Sequence, residues 1–290
     1  MARRINIGDL DGTLDVQRKF IDEALRIAKD LRDERLTCFA MLSLGRILKL
    51  EEMSDEANQR LIEALEVARK LRDDGTIGYA LVANERHRQD PIDATLLLGE
   101  AVDHFRRAHD SIGLSWALHL YANSLWDDVL LGDQRLQEAV TVEEEVLVIA
   151  RSIGADFTVV SAIGNIGILA FAMGDVDGGE EYSRQCLQTH RRMGEPNWQA
   201  SCILYIFSYC AISRGDYHRG AQLFGAAQLL QEQFPPFAGF DWAAVEIQMI
   251  GAYGERLRDV LGEESFQREV SLGRTLTFDD VCRLALTRTR

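Results

Sequence analysis

The chain has 290 residues, of which 47% are apolar and 27% charged, and its formal net charge is −14. A disordered polypeptide, a disulfide-stabilised miniprotein and a collagen-like fibre are excluded, because there are enough apolar residues to bury a sizeable core. The acidic surface would repel a phosphate backbone, so we expect no direct contact with nucleic acid. Only 4 prolines occur, and alanine, leucine, glutamate and arginine dominate. This composition favours long helices and an all-α fold.

Cysteines and histidines give little sign of cross-links or metal sites. The five cysteines form no C-x-x-C pair, and an odd number cannot complete a set of disulfides, so we expect a reducing, cytoplasmic setting. No two histidines have the i, i+4 spacing of a helical zinc site, so we expect neither a metal nor a cofactor. The acidic run 143–145 is expected to be a solvated helix start. The uncharged stretches 157–174 and 196–213 contain Ser, Asn, Gln or Gly, so they predict buried helices and not membrane spans.

A short motif near the amino terminus offers a catalytic alternative. Asp9-Leu-Asp-Gly-Thr matches the D-x-D-G-T signature of haloacid-dehalogenase-type phosphohydrolases. In that chemistry Asp9 would be the nucleophile, Asp11 the acid/base, and Asp279 with Asp280 would hold magnesium. The signature needs an apolar strand before it and alternating strands and helices after it, whereas helical patterns follow here. We therefore favour a turn that starts a helix.

The same turn and a longer segment recur along the chain. GDLDGT at 8–13 is repeated as GDVDGG at 174–179 and GDYHRG at 215–220, where Gly ends one helix and Asp caps the next. Similar helical segments, such as ALRIAKDLRD and ALEVARKLRD, open at Ala24, Ala64, Ala101, Val146, Cys186 and Ala227. The spacings between these residues are 40, 37, 45, 40 and 41. Such a period predicts helix pairs stacked in an array.

Small residues mark where the two helices of each pair should meet. The first helices carry an apolar or aromatic residue followed by a small one, at Leu44-Gly45, Tyr121-Ala122, Ile166-Gly167 and Phe207-Ser208. The second helices carry small, large and small residues on one face, at Ala57, Leu61, Ala64; Ala94, Leu98, Ala101; and Gly220, Phe224, Ala227. Both patterns are typical of the tetratricopeptide repeat. We predict an α-α superhelix of about five such pairs over 1–235 and a C-terminal helical cap over 236–290.

The array, with units of about 40 residues, and the closing segments GDYHRGAQLFGAAQLLQE and ERLRDVLGEESFQREVSLGRTLTFDDVCRLAL resemble a known family. They are similar to the sensor region of large bacterial ATP-dependent transcriptional regulators of the LuxR and maltose-regulator type. The resemblance covers the chain from about Gly8 onward and implies a cytoplasmic sensor module. The sequence has no G-x-x-x-x-G-K-[ST] phosphate loop and no recognisable helix-turn-helix, so neither ATPase nor DNA-binding activity carries over.

The first helix of each pair lines the concave side of such a superhelix, and the register predicts its inward residues. The candidate ligand-binding residues are Arg46, Lys49, Tyr79, Arg86, Trp116, His119, Asn123, Trp126, Phe171, Tyr205 and Tyr209. Those from Trp116 to Trp126 are spaced by 3, 4 and 3 and face one way. Aromatic residues are enriched at dominant contact sites, and the basic residues suit a carboxylate. In the alternative, these aromatic residues are packed in the core. Those of repeats four and five, Phe171, Tyr205 and Tyr209, are then covered by terminal helices or by a second copy of the chain.

The predicted function is non-enzymatic recognition of a protein, a peptide or a small molecule. The alternative is a structural scaffold that self-associates through its uncharged helices, with the segment 203–212 at the contact. The first helix pair looks short, because only ARRINI and the turn precede its second helix. We expect either a portion of a longer regulator or an amino end that packs against a second copy.

Overall fold

A computed structural model describes residues 10–51, 53–85, 91–126, 133–194, 196–234 and 243–287. Within these ranges the regular structure is α-helix without a strand, which confirms the all-α prediction. The helices are α1 (Leu10–Asp30), α2 (Glu34–Leu50), α3 (Ser54–Leu71), α4 (Asp74–Glu85), α5 (Pro91–Ala108), α6 (Ser111–Trp126), α7 (Asp133–Ile153), α8 (Asp156–Ala172), α9 (Val176–Met193), α10 (Trp198–Ser213), α11 (Tyr217–Gln233), α12 (Ala243–Leu261), α13 (Glu263–Thr275) and α14 (Phe278–Leu286). None of these helices combines the length and apolar character needed to cross a membrane.

The repeated Gly-Asp turn precedes helices as predicted. α9 begins directly after Asp175, whose carboxylate accepts a hydrogen bond from the Gly178 amide at 3.0 Å. α11 also begins directly after Asp216, but the Asp216 side chain makes no capping hydrogen bond, so the predicted cap does not form there. α1 begins at Leu10, so Asp11 lies in the first turn of a helix, while Asp9 lies outside the described residues. The motif is therefore followed by a helix, as at the other two turns.

The chain divides into two compact units, Met1–Ser124 and Leu125–Arg290. In unit 1, α1 packs on α2, and the helix pairs are α2 with α3 and α4 with α5. In unit 2, the pairs are α8 with α9 and α10 with α11, while α13 packs on α11 and α14 packs on α9 and α11. Each unit thus contains tetratricopeptide-like helix pairs. The predicted boundary between array and cap, at residue 235, lies outside the described residues.

The small residues bring paired helices close together. A Cβ on Gly45 would lie 2.6 Å from Cγ of Leu61, which is fully buried. A Cβ on Gly167 would lie 3.0 Å from the backbone nitrogen of Ser183. At the corresponding position of α10, the Ser208 hydroxyl donates to the Gly220 carbonyl at 2.8 Å. The pattern of large and small residues therefore encodes the distance between the helices of a pair.

α11 and α13 touch through their backbones. A Cβ on Gly225 would collide with the carbonyl oxygen of Val270, and a Cβ on Gly273 would collide with the carbonyl oxygen of Gln222. Each helix thus carries a glycine where the other helix crosses it. The contact places α13 on α11 in unit 2.

A buried polar chain links α7, α8 and α10. The Asn165 amide donates to the Glu143 carboxylate at 2.7 Å, and the Gln199 amide donates to Oδ1 of Asn165 at 2.8 Å and to the Ser161 carbonyl at 2.9 Å. Glu143, Asn165 and Gln199 are at most 2% exposed. The interpretation of 143–145 as a solvated helix start is therefore wrong for Glu143. α7 begins at Asp133, which puts Glu143 in the middle of a helix and facing its neighbours.

Candidate functional site

The first helices of unit 1 present aromatic residues in one register. Phe39 on α2, Tyr79 on α4 and Trp116 on α6 are separated by the same 40 and 37 residues as the repeats. The rings of Phe39 and Tyr79 meet edge to face, with 5.7 Å between their centroids, so α2 and α4 share a surface. Phe39 and Tyr79 are half-buried, and Trp116 is 37% exposed. Aromatic side chains therefore remain accessible on this side of unit 1.

Polar residues follow at a second equivalent position. Arg46 lies seven residues after Phe39, and Asn123 lies seven residues after Trp116. Arg46 is exposed, and Asn123 is half-buried. We call the set Phe39, Tyr79, Trp116, Arg46 and Asn123 the unit 1 face.

The remaining candidates before α7 are Lys49, His119, Arg86 and Trp126. Lys49 is exposed in the last turn of α2. His119 is only 9% exposed, and its ring centroid lies 6.1 Å from that of Trp116, so the two rings are neighbours on α6. Arg86 lies outside the described residues, and so does the side chain of Trp126, the last residue of α6.

Tyr79 is held in place by its neighbours. Its ring also meets that of Phe105 at 4.9 Å, and a Cβ on Gly78 would lie 2.8 Å from the Phe105 ring, so glycine makes room for this packing. Burial and a hydrogen bond with Asp110 raise the pKa of Tyr79 to about 12. The phenol therefore stays neutral near pH 7.

In unit 2 the candidate residues on the first helices are covered by the chain itself. Phe171 and Tyr205 are each 7% exposed, and the Tyr205 hydroxyl donates to Gln231 at 3.0 Å. The Phe171 ring packs against the Tyr209 ring, with 5.0 Å between their centroids, and the Tyr209 ring packs against that of Tyr253 of α12, with 4.9 Å between centroids. Ligand binding by Phe171, Tyr205 and Tyr209 stays a prediction, and a ligand on Tyr209 would first have to displace Tyr253.

A polar concavity of about 670 Å³ lies beside α9 and α14 in unit 2. Its charged groups are already engaged. Arg191 pairs with Asp279 at 2.6 Å, and this hydrogen bond holds the pKa of Asp279 below its ordinary value. Arg192 donates to the Thr189 hydroxyl at 3.2 Å. Arg191 and Asp279 neutralise each other and Arg192 adds a single further charge, so the concavity has no clear preference for a ligand.

The acidic pair suggested for magnesium has another role. Asp279 is paired with Arg191 and Arg283. Asp280 belongs to the start of α14, where its backbone nitrogen donates to the Thr277 hydroxyl at 3.2 Å. Across the described ranges, no group of three or more His, Cys, Asp or Glu side chains is arranged to hold a metal ion.

No protein-family model and no curated protein matches the sequence. Solved structures share the fold. One is a Signal Transduction ATPase with Numerous Domains (STAND) protein with a tetratricopeptide repeat sensor from Pyrococcus horikoshii, at a TM-score of 0.56 and 15% identity, covering 89% of this chain and 42% of that one. Another is the apo form of the quorum sensor NprR from B. thuringiensis, at a TM-score of 0.53 and 16% identity. The match covers 96% of this chain and 83% of that one. The likeness shows a tetratricopeptide-like helical repeat fold. The chain spans less than half the length of the STAND protein.

Proposed function

We propose that the chain is a non-enzymatic recognition module of the sensor type, whose unit 1 face binds a protein, a peptide or a small molecule. The observation that carries this proposal is the contrast between the units. The candidate residues of unit 2 are covered, Phe171 and Tyr205 at 7% exposure and Tyr209 by Tyr253, whereas Trp116 and Arg46 of unit 1 stay accessible. The structural neighbours reported above include a tetratricopeptide repeat sensor and a quorum sensor. This supports a place in a bacterial signalling or transcriptional regulator.

The unit 1 face combines two kinds of contact. Phe39, Tyr79 and Trp116 offer apolar surface at little cost in side-chain entropy, because aromatic side chains have few rotatable bonds. The Arg46 guanidinium is suited to bind a carboxylate, and the Asn123 side chain carries an amide. A ligand with an apolar side chain and a nearby carboxylate or amide fits this arrangement.

Selection from a displayed library of random peptides tests the proposal. Selected peptides should bind the whole chain, and changing Trp116→Ala together with Asn123→Ala should weaken binding by about 10-fold or more, as expected for a dominant contact. The control is Leu96→Ala, which shortens an exposed apolar residue on α5. Peptides that bind the double variant as tightly as the unchanged chain would contradict the proposal.

The two alternative functions make different demands on the structure. Self-association through 203–212 would need unit 2 to open, because this part of α10 is packed inside it. Its lack of charge is explained by that burial.

Phosphohydrolase chemistry would depend on Asp9. Magnesium-dependent phosphatase activity that disappears in Asp9→Asn would restore that alternative and contradict a non-enzymatic role.

A further inference from the structure

α1 is apolar on two sides. On one side Ile21, Leu25 and Ala28 face α2, where Ile21 and Leu25 pack against buried residues of α2 and α3. The other side carries the α1 stripe, which we define as the exposed residues Val16 (50%), Phe20 (72%), Ala24, Ile27 (44%) and Leu31 (67%). These spacings of 4, 4, 3 and 4 place all five residues on one helix face.

The same positions are covered in the next repeat. With the repeat offset of 40 residues, Ala24, Ile27 and Leu31 correspond to Ala64, Val67 and Leu71 of α3. Ala64 is fully buried, and its carbonyl accepts a hydrogen bond from the Cys38 thiol of α2 at 3.3 Å. Val67 and Leu71 are half-buried. The part of the α1 stripe from Ala24 to Leu31 therefore corresponds to a helix-binding face, and none of the described helices covers it.

We propose that a second copy of the chain covers the α1 stripe, with the two α1 helices packed antiparallel across a two-fold axis. The spacing of the apolar residues in the stripe is almost the same from either end, as a self-complementary interface requires. Antiparallel pairing places Val16 opposite the partner subunit's Leu31 and Phe20 opposite the partner subunit's Ile27. Ala24 then lies near the axis, where its small side chain lets the helices approach closely. The contact would run along helices about 30 Å long.

Charges along one edge of the stripe favour this orientation. Lys19, Glu23, Arg26 and Asp30 alternate in sign. Within the helix, Arg26 already pairs with Glu23 at 2.6 Å and Asp30 at 2.8 Å, and all three are exposed. The antiparallel arrangement brings Lys19 towards the partner subunit's Asp30 and Glu23 towards the partner subunit's Arg26. Such exposed pairs add little stability but select orientation. The interface is separate from the unit 1 face, so it does not depend on the proposed function.

Cysteine cross-linking of the whole chain tests the geometry. All five native cysteines are buried, so an introduced surface thiol reacts above a low background. Ala24→Cys should form a disulfide-linked dimer under mild oxidation about 10-fold or more faster than Lys29→Cys, because a thiol at the axis experiences a high effective concentration. Lys29 is exposed on another face of α1. Equal rates for the two variants would overturn the antiparallel arrangement.

Sedimentation velocity tests the association itself. The unchanged chain should sediment as a dimer, Phe20→Glu should sediment as a monomer, and Ile112→Glu, at an exposed apolar residue of α6, should remain a dimer. Glu23→Arg and Arg26→Glu should each weaken the dimer, and mixing the two variants should restore it. An unchanged chain that is monomeric at every concentration would overturn the proposal. So would a dimer that persists in Phe20→Glu.

Discussion

The Asn165 amide donates a hydrogen bond of 2.7 Å to the Glu143 carboxylate, and both side chains are almost completely removed from solvent. A carboxylate in such a place must be compensated by hydrogen bonds or by charge. Asn165 also accepts from Gln199. The polar chain thereby ties the second helix α7 to the first helices α8 and α10.

Asn165→Leu should destabilise the chain by about 3 kcal/mol, because it removes a donor from a buried carboxylate. Urea denaturation gives the free energy of unfolding. The control is Asn165→Leu combined with Glu143→Leu, which removes the carboxylate as well. The double variant should be more stable than Asn165→Leu alone. If the two substitutions simply add their costs, the pair is not coupled and the prediction is wrong.

Gly273→Ala should lower the free energy of unfolding by about 3 kcal/mol, since the added methyl group overlaps the Gln222 carbonyl and pushes α13 away from α11. The matched control is Gly251→Ala in α12, where a Cβ meets no atom within 4 Å. That change should be neutral or stabilise by up to about 1 kcal/mol, because alanine favours helix. Thermal unfolding of both variants makes the comparison, and equal transition temperatures would refute the close crossing.

Acid should weaken the contact between α11 and α13 through Glu269. Hydrogen bonds from Gln222 and His218, and the nearby Arg268, hold the pKa of Glu269 below its ordinary value of 4.5. A pKa lowered by folding gives stability above pH 4.5, and that stability is lost as the pH falls through the folded pKa. Glu269→Gln should therefore lower the free energy of unfolding most near pH 6, and progressively less below pH 4.5. A cost that is constant with pH would contradict this assignment.

Two arginines hold the end of α14. Arg184 donates to the Leu286 carbonyl and Arg219 to the Ala285 carbonyl, each at 2.9 Å. Arg219→Met should leave the Ala285 carbonyl without this donor and cost about 2 kcal/mol. Arg191→Met breaks a more exposed ion pair with Asp279 at the other end of α14 and should cost less than about 1 kcal/mol. Hydrogen exchange of 278–287 should accelerate more in Arg219→Met, and the reverse order would contradict the role of Arg219.

Local patterns predicted the helix pairs well. The position of Gly45 against Leu61 follows from the small–large pattern, and the start of α14 at Thr277 follows from its capping chemistry. These features depend on residues that are near in sequence or repeated at a fixed period. They are therefore visible without the tertiary structure.

Long-range contacts were harder to predict. Glu143 looks solvated until Asn165, from the next helix, is placed against it. Arg219 looks like a surface residue, yet its partner is the carbonyl of Ala285 near the end of the chain. For the site, the rings of Phe39 and Tyr79, which lie 40 residues apart, meet edge to face. The alternative in which terminal helices cover the aromatic residues of repeats four and five holds at Tyr209, which packs against Tyr253 of α12. The sequence could not name Tyr253, because the spacing within a helix does not say which neighbour the helix meets.

A crystal structure of the protein purified directly from its native host tests the central claim most directly. We predict electron density for a peptide or a small molecule against Trp116 and Tyr79, with a polar group near Arg46 or Asn123. A unit 1 face covered by the protein's own side chains, or by a neighbouring subunit, would contradict the account.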